Sequence, residues 1–115
     1  MKTILITDSE NTKIQFSVRW ARTIWRRLMG LLATSSLKQN EGLLLSPCSS
    51  VHTMGMSYPL DLIFLDKQRV VVKCVQNLKP YRAASARRAY YTLELPINTI
   101  KASGIDVGDR FTWSS

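Results

Sequence analysis

Leu60-Asp61-Leu62-Ile63-Phe64-Leu65-Asp66-Lys67-Gln68-Arg69-Val70-Val71-Val72-Lys73-Cys74-Val75 carries the clearest fold signal in this chain of 115 residues. Two short apolar runs flank a polar four-residue stretch. Asp66-Lys67-Gln68-Arg69 reads as a hairpin loop, with Asp66 suited to the first position of a type I turn. Both runs are apolar on both faces, so they are expected to be central strands. A simple register pairs Leu65 with Val70 and Phe64 with Val71, and brings Asp61 near Cys74.

Upstream, Ile14, Phe16, Val18 and Trp20 alternate with polar or small residues. That period of two predicts a half-buried strand. Residues 3–7 form another short strand before the turn Asp8-Ser9-Glu10-Asn11. After Thr23, a suitable N-cap, the period changes. Ile24, Leu28 and Leu31 predict a short amphipathic helix over residues 24–33, with Arg26 and Arg27 off its apolar stripe. Leu43-Leu44-Leu45 is a further apolar run. Downstream, Ala83 to Ala86 reads as a helical turn and Ala89 to Leu95 as a strand. Ile97 to Ala102 reads as one helical turn closed by Ser103-Gly104, and Arg110 to Trp113 as a last strand. Six to eight short strands with one clear helix predict a mainly β (α+β) fold. The expected form is a compact antiparallel β barrel or sandwich with one or two short helices, in a single domain over residues 1–115.

Apolar residues make up 45% and charged residues 21%, a balance that excludes wholesale disorder. No apolar run approaches the ~20 residues of a membrane-spanning helix. The N-terminal apolar stretch is too short for a signal-peptide core, so a cytoplasmic protein is expected. Cys48 and Cys74 lack Cys-x-x-Cys spacing and fit reduced thiols. Sixteen Lys and Arg oppose eight Asp and Glu, giving a net charge of +8. The cations concentrate in two acid-free windows, residues 11–40 and 67–93. Such a field favours phosphate backbones or an acidic partner protein. Arg22, Arg26, Arg27, Arg82, Arg87 and Arg88 are the candidate polyanion-binding residues; the plain alternative is a solvated basic surface.

The densest set of reactive groups is Cys48-Ser49-Ser50-Val51-His52-Thr53-Met54-Gly55-Met56, which holds the only histidine. In an extended segment Cys48, Ser50, His52, Met54 and Met56 would share one face. Three readings compete. Cys48, His52 and Asp61 have the residue types of a nucleophile, base and orienter. On a flat strand, though, Cys48 and His52 lie about 13 Å apart. Cys48, His52 and Met56 could hold a soft metal such as Cu(I), at the same unfavourable spacing. Third, the set packs core, and His52 donates to Asp61 or to a backbone carbonyl. The spacing favours the third reading, with a small-ligand pocket as its functional extension. Phosphate-loop, dinucleotide-binding and His-Glu-x-x-His motifs are all absent from the sequence.

Cys48 through Met56, followed by Pro59-Leu60-Asp61 and Phe64-Leu65-Asp66, resembles the central signature of the bacterial domain of unknown function 192. Ala21-Arg22-Thr23 through Arg27 to Gly30-Leu31-Leu32, ahead of Gly42 to Leu45, resembles that family's N-terminal motif. Leu93-Glu94-Leu95-Pro96 with Gly104-Ile105 and Gly108-Asp109 resembles its C-terminal one. The likeness runs from about residue 14 to 112. It departs at Met29, where a basic residue is expected, and at Ile97-Asn98, where Ala-Gly is expected. The resemblance implies a compact, mainly β domain with no established activity or substrate. It marks Cys48, His52, Asp61, Asp66 and Glu94 as a polar pattern without assigned chemistry. The expectation is a non-catalytic binding or scaffold domain, with no cofactor. Its small-ligand pocket would involve His52, Met56, Asp61, Asp66 and Glu94. Nucleic acid is the alternative partner, through the two basic windows.

Overall fold

The computed structural model describes residues 2–7, 14–21, 41–53, 56 and 58–114. Its strands are β1 (Lys2–Thr7), β2 (Gln15–Ala21), β3 (Glu41–Leu45), β4 (Ser50–His52), β5 (Leu60–Leu65), β6 (Val71–Leu78), β7 (Ala83–Ser85), β8 (Tyr91–Leu95) and β9 (Phe111–Thr112). One short helix, α1 (Thr99–Ser103), lies among the described residues. Seven strands form one sheet in the order β6-β5-β8-β3-β2-β1-β9, and β4 pairs with β7 in a separate two-stranded sheet. The fold is therefore mainly β, as expected. The sheet is mixed rather than antiparallel throughout, because β2 and β3 run parallel. A parallel pair needs a crossover and cannot be joined by a hairpin. The crossover is residues 22–40, so the helix expected over 24–33 lies outside the described residues.

The hairpin is present, but only its first strand is central: β5 lies between β6 and β8, whereas β6, expected to be central too, is the edge strand, and its Lys73, Gln76 and Asn77 are exposed. The hairpin register differs from the simple one: Leu65 pairs with Val71, Phe64 with Lys73 and Ile63 with Cys74. The loop is longer than four residues, and the ladder shifts register between Phe64 and Leu65. Asp66 does the turn work assigned to it. Its Oδ1 accepts the N–H groups of Gln68 (2.9 Å) and Val70 (3.0 Å).

Each face of the large sheet, the inner one toward α1 and the outer one toward the β4–β7 sheet, buries its own core. Phe16, Val18, Leu44, Ile63, Leu65, Leu93 and Leu95 point to one side and pack with Ile100 of α1, Ile105, Phe111 and Trp113. Leu43, Leu45, Leu60, Leu62 and Phe64 point to the other and pack under the β4–β7 sheet through Cys48, Val51 and Ala86. This two-sided burial explains why β5 reads as a continuous apolar run rather than an alternating one. Gly42 of β3 is crowded by its two neighbouring strands, β8 and β2. A Cβ there would lie 2.8 Å from Leu95 Cδ2 and 2.9 Å from the Glu94 carbonyl.

The last strand pins both edges. β9 pairs with β1, Arg110 makes an isolated bridge to Val70, and the Phe111 N–H donates to the Arg69 carbonyl (2.9 Å). A single bridge is not a ladder, so the sheet is strongly curled and sandwich-like rather than a closed barrel. Ala83 to Ser85 is a strand, not the expected helical turn. Pairing with β4 overrides the helix propensity of an Ala-rich tetrapeptide.

Candidate functional site

The structure separates the residues that the sequence places together. Val51 points inward, and its strand neighbours Ser50 and His52 are exposed. Cys48 is buried, because the chain bends between it and Ser50. Its Sγ donates to the Ser50 carbonyl at 3.2 Å. Cys48 and His52 therefore point to opposite sides of β4 and do not share the face that strand spacing predicts. This arrangement does not assemble the nucleophile–base pair or the Cys48/His52/Met56 metal set. Met56 is half-buried against the outer core, and Met54 lies outside the described residues.

Asp61 is fully buried on the inner face of β5. The β5–β6 ladder shifts by one residue between Leu60 and Leu62, and this bulge turns the Asn77 N–H toward it. Asp61 Oδ1 accepts that N–H at 2.9 Å, and Oδ2 accepts the Ile100 N–H of α1 at 3.0 Å. Asn98, at the helix start, makes no side-chain cap. The carboxylate thus caps α1 from a neighbouring strand. Its partners are backbone donors, not the His52 side chain that the sequence offers, and His52 lies on the far side of the sheet.

Glu94 is buried on the outer face, one strand across from Leu43. Tyr58 lies within its field. Burial first, and then the Glu94 charge, push the Tyr58 hydroxyl pKa up, while Arg19 pulls it back. The Cys74 thiol is pushed up to about 11, mainly by burial and then by the charges of Asp106, Asp109 and Asp61. Against an ordinary value of 9.0, Cys74 carries about a hundredfold less thiolate at pH 8. A thiol-specific reagent at pH 8 should label it at least about a hundredfold more slowly than glutathione. Because the folded pKa is raised, the linked stability is present below pH ~9 and lost as pH rises through ~11. Labelling at the glutathione rate in native buffer would contradict this assignment.

Three of the seven cations of the second window line one groove. A groove of about 650 Å³ opens between the start of β6, the turn after β7 and the Val107-Gly108 turn, with Asp66 in its lining. Lys73, Arg87 and Arg88 line it and are exposed. Arg87 and Arg88 occupy the centre of a tight turn closed by Ala89 N–H to the Ala86 carbonyl (3.1 Å). That turn is fixed from below by buried Ala86, whose N–H donates to the Ser49 carbonyl (2.9 Å). Lys73 Nζ reaches the Ser85 carbonyl (2.8 Å) and ties β7 to the sheet edge. Asp66 Oδ1 is already engaged by two N–H groups, so three cations face one partly satisfied carboxylate. Arg82 is exposed at the other end of β7, while Arg22, Arg26 and Arg27 lie outside the described residues. The sequence reading named Arg87 and Arg88 but not Lys73, Ser85 or Val107 as site residues. The acid-free window was the available signal for Lys73; nothing local marks the other two.

Fold and site define a small mixed-sheet β domain with a basic surface groove. The chain belongs to the DUF192 family, described as Uncharacterized ACR, whose sequence profile matches residues 5–113. An uncharacterised UPF0127 protein of Pyrococcus furiosus is 29% identical over 116 residues, covering 96% of this chain and 97% of the relative. A UPF0127 protein of Pyrococcus abyssi is 27% identical over 119 residues, with the same coverage of 96% and 97%. Both relatives are archaeal, so the family is not confined to the bacteria that the resemblance named. A crystal structure of a protein of unknown function from Novosphingobium aromaticivorans shares the fold, with a TM-score of 0.85. That match has 24% identity and covers 96% of this chain and 84% of that one. No helix among the described residues is long and apolar enough to cross a membrane.

Proposed function

We propose that this chain is a non-catalytic binding domain that takes an anionic ligand in the groove lined by Lys73, Arg87 and Arg88. The observation that carries this reading is the convergence of those three exposed cations on one concavity. Two adjacent guanidinium groups on a fixed turn suit phosphate oxygens, which accept paired N–H donors. The inward, hydrogen-bonded Cys48 thiol and the backbone-engaged Asp61 support a binding role over nucleophilic catalysis. The ligand site accordingly moves from the His52–Asp61 region to the edge of β6. A cytoplasmic setting and a single domain over residues 1–115 belong to the same proposal and rest on the sequence.

Isothermal titration with inorganic pyrophosphate at low salt tests it. The native protein should bind, and the double change Arg87→Gln/Arg88→Gln should weaken binding about 10–100-fold, as expected when charge-assisted hydrogen bonds are lost. Both side chains are exposed, so the melting temperature should be unchanged. Equal affinity in the variant, or no heat of binding at millimolar pyrophosphate, would overturn the assignment.

A further inference from the structure

The outward face of the β4–β7 sheet continues from the groove. Pairing sets Ser50 beside Ser85 and His52 beside Ala83, and all four are exposed. Three of these side chains are small, so they leave a low strip about three residues long, roughly 10 Å. Beyond its far end the β6–β7 turn presents Lys79, Tyr81 and Arg82, all exposed.

That turn is rigid. Thr53 is wholly buried beneath it. Its Oγ1 donates to the Lys79 carbonyl at 2.6 Å and accepts the Arg82 N–H at 2.9 Å. Its own N–H donates to the Arg82 carbonyl (2.8 Å), and its carbonyl accepts the Tyr81 N–H (3.1 Å). These bonds hold Tyr81 at φ 60, a left-handed conformation unfavourable for a bulky residue. The residue is nevertheless 62% exposed. The core gains nothing from it, and the backbone is held in a costly shape to present it.

We propose that this face binds a single strand of nucleic acid. Phosphates lie against Lys73, Arg87 and Arg88 at one end and against Lys79 and Arg82 at the other, and one base stacks on Tyr81. The inference rests on the anion-binding reading of the groove and extends it to a ligand class. An exposed ring between cations is how sequence-tolerant single-strand binders hold unpaired bases. A duplex keeps its base faces stacked internally and leaves Tyr81 idle. An acidic peptide would use the cations but give the ring nothing to stack on.

The test is fluorescence anisotropy with fluorescein-labelled dT12 and with a 12-base-pair duplex, run beside the pyrophosphate titration. Native protein should bind dT12 more tightly than the duplex. For three to five phosphate contacts, log affinity should fall with log salt at a slope of about −2 to −3.5. Tyr81→Ala should weaken dT12 binding about tenfold and leave pyrophosphate binding unchanged, and Tyr81→Trp should restore it. Lys79→Gln/Arg82→Gln should lower the salt slope by about 1.4 without touching the turn's backbone bonds. If pyrophosphate binds but dT12 does not, or Tyr81→Ala and Lys79→Gln/Arg82→Gln both leave dT12 binding unaltered, the strand-binding face is overturned and the groove stands. If neither probe binds, both readings fall.

Discussion

Replacing Asp61 by alanine should lower the unfolding free energy by about 3–5 kcal/mol, because the buried Ile100 N–H and the part-buried Asn77 N–H both lose their acceptor. The side chain has no solvent exposure, so water cannot take its place without opening the layer. Its two oxygens serve different elements: the Asn77 N–H of the β6 bulge and the Ile100 N–H of α1. Alanine leaves each N–H unmet, at about 1–3 kcal/mol apiece, and adds a small cavity. At about 3–6 °C per kcal/mol for a chain of this size, the melting temperature should fall by at least ~10 °C. Asp61→Asn keeps the shape and one acceptor but turns an amide N–H₂ toward the second donor, so its loss should be about half as large. Urea denaturation of both variants gives the numbers. A loss below about 1 kcal/mol for Asp61→Ala would remove Asp61 from this structural role and return it to the candidate ligand contacts.

Asp61 also shows what the sequence made legible and what it did not. A carboxylate inside an apolar run announces a buried acid that needs partners, and that much is readable from Leu60-Asp61-Leu62. Its partners are two N–H groups, 16 and 39 residues away, exposed by a bulge and by a helix start. Bulges leave no mark in hydrophobic period, and the same blindness shifted the expected hairpin register. Strands with strong patterns were readable: the alternation of Ile14 to Trp20 became β2, and the two-sided apolar run became central β5. The parallel β2–β3 pairing was not, because a crossover is a property of chain path rather than of local composition.

Local period and charge differ in what they say about where side chains gather. Cys48 through Met56 drew attention by its reactive residue types, and a period of two put them on one face. A single bend between Cys48 and Ser50 turned the thiol inward and left His52 outside. Charge is more forgiving, since long cationic side chains on nearby elements can converge whatever the local period. The acid-free window 67–93 therefore located Lys73, Arg87 and Arg88 in outline, though not the groove that gathers them.

Trp113 is the second position where a large effect is expected, and two substitutions there should diverge. The residue is 8% exposed, and its ring stands edge-on to Trp20 at 6.1 Å and to Tyr91 at 5.0 Å between centroids. The Arg69 guanidinium covers it at 3.9 Å, and Arg69 Nη1 donates to the Trp113 carbonyl at 2.5 Å. This cluster anchors the segment next to β9, which holds the two edges of the curled sheet together. Trp113→Ala should cost about 3–5 kcal/mol, the usual range for a buried aromatic truncated to alanine. Trp113→Phe is different. The indole Nε1 is buried and has no acceptor among the described residues, and an unmet buried donor costs about 1–3 kcal/mol. Phenylalanine removes that donor and keeps an aromatic face for Arg69 and Tyr91, losing only the volume of the second ring. The two terms nearly cancel, so Trp113→Phe should lie within about 1 kcal/mol of the native protein. Urea unfolding followed by far-ultraviolet circular dichroism separates the cases without relying on tryptophan fluorescence. A phenylalanine variant as unstable as the alanine one would mean that the indole N–H, rather than the ring stack, holds this corner of the sheet.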